Sequence, residues 1–417
     1  MPNIILIVLA IFALLGVLLE EKIHIDKAKT TLFIGTISWI ILFITSASGE
    51  GRDEVIAALG ENIAEIATLW LFLLAAMTFV AYLNAKGMIE NLIYIFLPKK
   101  ISERALMFLV AVFCFTFSSL ADNITATLVS MALILSLKLP AKKTIKFTTL
   151  VVFSVNSGGV SLITGDVTTL MVFLAGKVAI TDLLLLIGPA MVAVLVLTIA
   201  LSLTSSSEVI HVSRSHSKEV RRVDLMIGIT FLTTIISTIL LNIFFQIPPV
   251  LTFLTGLSVM FLIARFFNED FDNDPIMEYI RVIEFETLMF FLGVLMVVGV
   301  LQHIHVLDNL VKIYDVMPPF AASYLMGLLS ALIDNVPLTA ALLKAGIEMS
   351  KPEWMVLTYS VGVGGSLLVI GSAAGVVAMS RVKELTFGTY LRYFPLLLIS
   401  YTIGCSIVYF MGNQIFG

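Results

Sequence analysis

Charged residues are scarce in this sequence. Asp, Glu, Lys and Arg together make up 13% of its 417 residues, against about 25% in ordinary soluble domains. Hydrophobic residues make up 59%, and the mean hydropathy is +1.05. Too few polar side chains remain to cover a surface that faces water. The composition therefore excludes a set of soluble domains and predicts a polytopic membrane protein.

Cysteine and clustered positive charge are also nearly absent. The two cysteines, Cys114 and Cys405, both lie in apolar runs, which argues against a disulfide framework and against a thiolate metal site. The net charge is −4 and the basic residues are dispersed along the chain, so nucleic-acid binding has no electrostatic support.

Long apolar runs are what the sequence has in abundance. A membrane-spanning helix needs about 20 apolar residues. Two pairs of shorter runs meet at the polar tips Asp122-Asn123 and Asp334-Asn335, and they predict re-entrant hairpins over 104–138 and 318–348. A buried irregular tip is tolerated where protein or a water-filled cavity surrounds it. The other runs predict ten crossings near 3–19, 31–47, 64–84, 143–176, 182–204, 223–243, 248–266, 285–303, 353–380 and 387–412.

The distribution of positive charge predicts the orientation. With the N-terminus and the C-terminus both outside, all but five of the 25 Lys and Arg residues fall on the cytoplasmic side, as the positive-inside rule requires. Counting either hairpin as one crossing would reverse the predicted sides of all later loops, and the excess of Lys and Arg on the cytoplasmic side would be lost. The first span has no basic n-region and no cleavage site, so it is expected to be a retained helix. We expect a multi-pass protein of the plasma (inner) membrane.

The two halves of the chain share a polar pattern. Ser-x3-Asp-Asn-x3-Thr occurs at Ser118–Thr127 and again 212 positions later at Ser330–Thr339. A glycine-interrupted helix follows each hairpin. The two hairpins are flanked by loops on opposite sides, so the repeats are inverted, which is typical of secondary transporters. The predicted fold is an all-α polytopic membrane protein with inverted repeats, re-entrant hairpins and two discontinuous helices. The predicted segments are N-terminal helices 1–60, first repeat 61–204, cytoplasmic linker 205–222 and second half 223–417.

Three acids lie at depth in the apolar segments: Asp122, Asp166 and Asp334. The Asp-Asn pairs would also serve as plain helix caps, and capping and ion binding can coexist. No Lys or Arg occurs between 147 and 176 or between 313 and 343, so the expected partners of these acids are cations or protons. Ionisable residues inside a membrane are functional by default.

The segment 156–169 adds neutral oxygens to Asp166. Its glycines allow the backbone to leave the helix in mid-span, which frees carbonyl groups. Further neutral oxygens are offered by Asn156, Ser157, Thr164, Thr168 and Thr169. Small residues also serve close helix packing, but packing needs no carboxylate. The counterpart segment carries Ser372 where the first half has Asp166.

Carboxylates among hydroxyl, amide and carbonyl oxygens suit a hard cation such as Na⁺ or Li⁺. Burial and neighbouring like charges both favour the protonated carboxyl, so protons and cations would compete for the same oxygens. That competition predicts cation/proton antiport. His303 and His305 would sense pH, or would be interfacial residues without a role.

These motifs resemble the NhaD family of sodium/proton antiporters, within the ion transporter superfamily that includes arsenite and dicarboxylate carriers. The resemblance rests on Ser118–Thr127, Asn156–Thr169, Ser330–Thr339 and Gly364–Gly375. It implies a homodimer in the lipid bilayer with no cofactor besides the transported ions. It also implies two ion-binding clusters: Ser118, Asp122, Asn123, Asn156, Asp166, Thr168 and Thr169 in one, and Ser330, Asp334, Asn335, Ser366 and Ser372 in the other.

Two other functions compete with antiport. A sodium-coupled carrier of dicarboxylates or arsenite would place its cation at the same acids, although three acids without basic partners disfavour a dianion as sole substrate. An intramembrane aspartyl protease also needs two carboxylates, and Tyr314-Asp315 resembles half of such a signature. Its partner motif is missing, however, and the repeat would have no purpose in a protease.

Overall fold

The structure is a computed structural model of the chain. It describes residues 2–18, 25–46, 50–89, 91, 97–98, 100–205, 209–211, 220–267, 280–281 and 283–416, and the structural statements below refer to these residues. Most of the predicted linker 205–222 lies outside them.

Helices make up nearly all of the regular structure, since a bilayer requires every backbone N–H and C=O group to be satisfied within the chain. The helices up to the linker are α1 (Pro2–Leu18), α2 (Lys27–Thr45), α3 (Glu50–Ala85), α4 (Glu103–Leu120), α5 (Asn123–Ser136), α6 (Ala141–Gly159), α7 (Val167–Leu174), α8 (Ile180–Leu185) and α9 (Ile187–Leu203). The predicted boundary between 60 and 61 falls inside the unbroken helix α3.

The second half begins with two long helices and then repeats the same plan of a helix pair followed by a broken helix. Its helices are α10 (Arg222–Phe245), α11 (Pro249–Phe267), α12 (Phe285–His303), α13 (Asp308–Val316), α14 (Pro319–Ser330), α15 (Asn335–Lys344), α16 (Lys351–Gly364), α17 (Ala373–Arg381), α18 (Phe387–Leu391) and α19 (Phe394–Phe416).

Eight helices in the described ranges are long and apolar enough to cross a membrane. Their outer faces are apolar too: on α10, Ile229, Leu232, Ile236 and Leu240 are all exposed at helical spacing. An apolar stripe of this length on an outer face fits lipid rather than water. The chain is therefore an all-α, multi-pass membrane protein, as its composition predicts.

A short sheet accompanies the helices, which the sequence analysis did not predict. Strand β1 (Lys100–Ser102) pairs antiparallel with β2 (Val209–His211), with Lys100 opposite His211. The pairing fastens the start of α4 to the chain that follows α9.

Each half contains a helix–turn–helix whose second helix begins at the Asp-Asn pair. Helix α4 ends at Leu120 and α5 begins at Asn123, while α14 ends at Ser330 and α15 begins at Asn335. The predicted hairpins over 104–138 and 318–348 therefore coincide with helix pairs. Helix α4 is by itself long enough for a span, so the re-entrant placement and the inversion of the repeats stay predictions.

Both helices that were predicted to be discontinuous are broken. The backbone leaves the helical conformation between Gly159 and Val167 and again between Gly364 and Ala373. The two broken helices exchange partners across the halves: α5 of the first half packs on α17 of the second, and α15 of the second half packs on α7 of the first. This exchange brings both hairpin tips to both breaks.

Glycine permits the close crossing of each hairpin with its broken helix. A Cβ atom at Gly158 would clash with the backbone carbonyl of Phe115, and one at Gly364 would clash with that of Gly327. These contacts are equivalent in the two halves. A side chain at either position would separate the hairpin from the break.

Helix α2 lies parallel to α12. Thr31, Gly35 and Trp39 meet Gly293 and Met296 in the same chain order. The Trp39 indole N–H donates to the Met296 carbonyl at 3.0 Å. This packing holds the first residue of α2 beside the start of α12, near the hairpin tips.

We expect Gly158→Ala and Gly364→Ala each to lower the stability of the detergent-solubilised protein by about 1–3 kcal/mol, because an added methyl group would press on backbone that cannot rotate away. The melting temperature, followed by size-exclusion chromatography after heating, checks this. Gly188→Ala is the matched control, since nothing lies within 4 Å of a Cβ atom there. Unchanged melting of the first two variants would contradict the tight crossing.

Candidate functional site

A cavity of about 60 Å³ lies where the hairpin tips meet the first break. Its walls bring together all three of the acids predicted from the sequence, together with both asparagines of the Asp-Asn pairs. The polar lining residues are Lys27, Asp122, Asn123, Asp166, Thr287, Asp334 and Asn335. Three carboxylates face one ammonium group, so the cavity attracts cations.

Asp166 is the residue that both hairpins contact. Its Oδ1 atom accepts a hydrogen bond from the Thr168 backbone N–H at 3.0 Å, which caps α7. Its Oδ2 atom accepts from the side-chain amide of Asn123 at 2.8 Å and from that of Asn335 at 3.3 Å. The side chain is buried, so these donors replace water around the carboxylate.

Asp122 caps the second helix of the first hairpin. Its Oδ1 atom accepts from the backbone N–H groups of Ile124 and Thr125 at 3.0 and 2.9 Å. Its Oδ2 atom accepts from the Thr125 hydroxyl at 2.7 Å. The helix N-terminus and its dipole stabilise this carboxylate, and one edge of it still faces the cavity.

Asp334 occupies the equivalent position in the second hairpin, with one difference. Its Oδ1 atom caps α15 by accepting from the Val336 backbone N–H at 3.1 Å. Its Oδ2 atom lies 3.5 Å from the Lys27 ammonium. The expectation that the acids have no basic partner is wrong for Asp334. No local pattern could have revealed Lys27, because the packing of α2 on α12 brings it there from outside the repeats.

The remaining predicted site residues lie at the tips and breaks, and most of their hydroxyl groups are bound to nearby backbone. Ser118 donates to Asn123 Oδ1 at 2.8 Å, while Asn156 donates to the Ser372 hydroxyl at 3.1 Å. The second of these contacts joins the two clusters that the resemblance separates, as does the bond from Asn335 to Asp166. Thr169, Ser330 and Ser366 donate to the carbonyls of Gly159, Val361 and Val363.

Several oxygens beside the break are buried without a hydrogen-bond partner. Among the residues that the structure describes, these include Asn156 Oδ1, Ser157 Oγ, Ser161 Oγ and Thr168 Oγ1. An unsatisfied buried oxygen is costly, and oxygen atoms of this kind are what a hard cation requires. Ser157 was predicted from the sequence as a neutral oxygen, whereas Ser161 was not singled out, although its position between the glycines and Asp166 was a signal.

Glu284 is a further acid that the sequence analysis missed. It lies just before the membrane-crossing helix α12, and it accepts from the Thr287 hydroxyl at 3.3 Å. Burial, reinforced by the charge of Asp122, raises the pKa of Glu284 to about 7. The internal repeat could have revealed it, since Glu65 lies three residues before Thr68 just as Glu284 lies three residues before Thr287.

Other candidate residues lie away from this cavity. Asp315 is exposed on α13, and His305 is exposed with Nδ1 3.3 Å from Asp308. Within the described ranges, no three His, Cys, Asp or Glu side chains converge as a metal-binding cluster would require. The three acids share a cavity but are spread around it.

Comparison with known proteins places this geometry in a family. Residues 2–362 match the profile of the citrate transporter family. The sequence is 31% identical to the Na⁺/H⁺ antiporter NhaD of Alkalimonas amylolytica, over 98% of this chain and 91% of that protein. It is 29% identical to the Na⁺/H⁺ antiporter NhaD of Halomonas elongata, over 99% and 89% of the two chains. It is 28% identical to sodium/proton antiporter 1 of Arabidopsis thaliana, over 90% of this chain and 67% of that protein.

These matches extend over nearly the whole chain and include both hairpins and the first break. The chain therefore belongs to the citrate transporter family of membrane transporters and is related within it to the NhaD sodium/proton antiporters.

Proposed function

We propose that this protein is a secondary antiporter that exchanges Na⁺ or Li⁺ for H⁺. Cytoplasmic cations would leave as protons enter down the proton-motive force. The observation that carries the proposal is the buried Asp166 carboxylate, which accepts hydrogen bonds from both hairpins in a cavity lined by two further acids. The names of the relatives agree with it.

Competition at Asp166 would couple the two ions. A carboxylate that binds a proton loses most of its attraction for Na⁺, and a bound Na⁺ disfavours protonation. Each asparagine beside it can offer N–H to the carboxylate or rotate its oxygen toward a cation. The acids would titrate as one coupled set.

The cation site would combine the cavity acids with neutral oxygens from both halves. We assign Asp122, Asp166 and Asp334 as the charged ligands for Na⁺ or Li⁺. The supporting residues are Ser118, Asn123, Asn156, Thr168, Thr169, Ser330, Asn335, Ser366 and Ser372. No resident cofactor takes part, because the transported ions are the only small partners that the mechanism needs.

Alternating access would follow from movement of the hairpins and broken helices against the remaining bundle. Both hairpins contact Asp166, so a change of ion there acts on both tips. The inverted arrangement of the repeats, a homodimer, an inner-membrane location and both termini outside belong to the same proposal.

A sodium-coupled anion carrier is the second candidate. The citrate transporter profile and the ammonium of Lys27 in the cavity favour it. The cavity size opposes it, because the cavity of about 60 Å³ is small beside the pockets of about 300–1,000 Å³ that organic ligands occupy.

We expect Na⁺ or Li⁺, without any organic anion, to collapse a preformed pH gradient in everted vesicles that contain the wild-type protein. Asp166→Asn should reduce this exchange at least about 100-fold, since the amide can neither bind a proton nor neutralise a cation. Fluorescence of a pH-sensitive amine dye measures the gradient.

Asp315→Asn is the matched control, because Asp315 is an exposed acid on α13 and its loss should leave exchange unchanged. If correctly inserted wild-type protein exchanges no alkali cation for protons, antiport is wrong. A response that appears only after a dicarboxylate is added would favour the anion carrier.

We expect Glu284→Gln to weaken Na⁺ binding only on the alkaline side. Its pKa of about 7 means that the wild-type side chain is neutral below pH 7 and negative above it. Below pH 7 the variant should match wild type. Above pH 7 its KM for Na⁺ should rise about threefold, because a partly solvated charge loses an attraction of under ~1 kcal/mol.

The measurement is the Na⁺ concentration dependence of exchange across this pH range. Glu348→Gln is the control, since Glu348 is exposed and is not among the residues that line the cavity, so its loss should leave the profile unaltered. An equal rise of KM at all pH values would show that Glu284 acts through structure rather than through its charge.

A further inference from the structure

Among the residues that the structure describes, Lys27 is the one basic side chain that lines the cavity. It is the first residue of α2, and the Asp26 side chain caps this helix by accepting from the Ala28 backbone N–H at 2.7 Å. The tight packing of Gly35 against the Gly293 carbonyl fixes α2 on α12. The backbone of Lys27 is therefore held in place, while its four-carbon stem can still move the ammonium.

The ion pair of Lys27 with Asp334 is long. Its 3.5 Å separation exceeds the about 2.7–2.9 Å of a charge-assisted N–H···O bond. The Lys27 ammonium also lies 4.6 Å from the centre of the Phe290 ring, within the range of a cation–π contact. Phe290 lines the same cavity, so the ammonium has a second favourable position, over this ring, close to its position beside Asp334.

The cap of α15 does not depend on this ion pair. Asp334 uses Oδ1 for the Val336 backbone N–H and presents Oδ2 to Lys27. A metal cation bound at Oδ2 would lie within about 2.5 Å of it, and the ammonium would then have to withdraw from the like charge. The helix start would remain intact during this exchange.

We propose that Lys27 is a resident competitor at the cation site. Its ammonium pairs with Asp334 when the site is empty, and transported Na⁺ displaces it toward Phe290. This inference rests on the antiport function proposed above. Lys27 lowers the affinity for Na⁺ so that the ion can be released, and it neutralises Asp334 while the empty carrier changes conformation.

Two substitutions with opposite expected effects test this role in proteoliposomes at alkaline pH. Lys27→Met keeps the length of the side chain and removes the competitor, so the KM for Na⁺ should fall about fivefold, the effect of a partly exposed ion pair. Lys27→Arg strengthens the competitor, because the guanidinium pairs with a carboxylate through two N–H groups, and the KM should rise. Lys29→Met is the matched control, since Lys29 is exposed on the same helix and its loss should leave the KM unchanged.

If Lys27 had only a structural role, both variants would show a raised KM or a lower maximal rate. That result would overturn the proposal. An unchanged KM in Lys27→Met would overturn it as well. A second measurement compares the same variants without transport. It follows how far Na⁺ raises the melting temperature of each variant in detergent, because a ligand that binds more tightly stabilises the folded state more. Wild-type protein that exchanges no Na⁺ for H⁺ would instead refute the antiport function, so the two failures can be told apart.

Discussion

Two side-chain amides, one from each hairpin, donate hydrogen bonds to the same oxygen of Asp166. The carboxylate is buried, so its charge is stabilised by these donors and by the N-terminus of α7 rather than by water. When Asp166 is protonated, the acceptor that the two hairpin tips share loses its charge, and their hydrogen bonds to it weaken. The position of the tips and the charge of Asp166 therefore depend on each other. The proposed coupling between ion binding and movement requires such a dependence.

The cost of placing three carboxylates inside the protein, two of them buried and Asp122 half-buried, is offset by the same local structure at each. Each acid precedes a helix and uses one oxygen to cap it: Asp122 for α5, Asp166 for α7 and Asp334 for α15. The cap satisfies backbone N–H groups that a helix leaves without partners. The other oxygen of Asp166 and of Asp334 contacts side chains at the cavity, whereas that of Asp122 accepts from the Thr125 hydroxyl. Helix capping is therefore compatible with the ion binding proposed above, because it occupies only part of each carboxylate.

The sequence was sufficient for the features that arise from local pattern. Apolar runs predicted the helices, the repeated Asp-Asn pairs predicted the two helix pairs, and glycines at 158–159 and 364–365 predicted both breaks. The sequence could not predict the ion pair of Asp334, because Lys27 belongs to a separate helix, α2, whose packing places it there. The bond between Asn335 and Asp166 was also hidden, since repeat matching groups residues within a half whereas the fold exchanges α7 and α17 between halves.

The two breaks differ in the residue that caps the helix after them. Ser372 caps α17 by accepting from the Gly375 backbone N–H at 3.4 Å, the role that Asp166 has at α7. A carboxylate in place of Ser372 would add a further negative charge close to the three that already share the site. Like charges that are partly shielded from water repel one another, which would raise the cost of keeping all of these acids ionised. With a neutral cap in one half and an acidic cap in the other, Asp166 is the acid at the breaks, in the part of the chain that the structure describes, to which both hairpins donate hydrogen bonds.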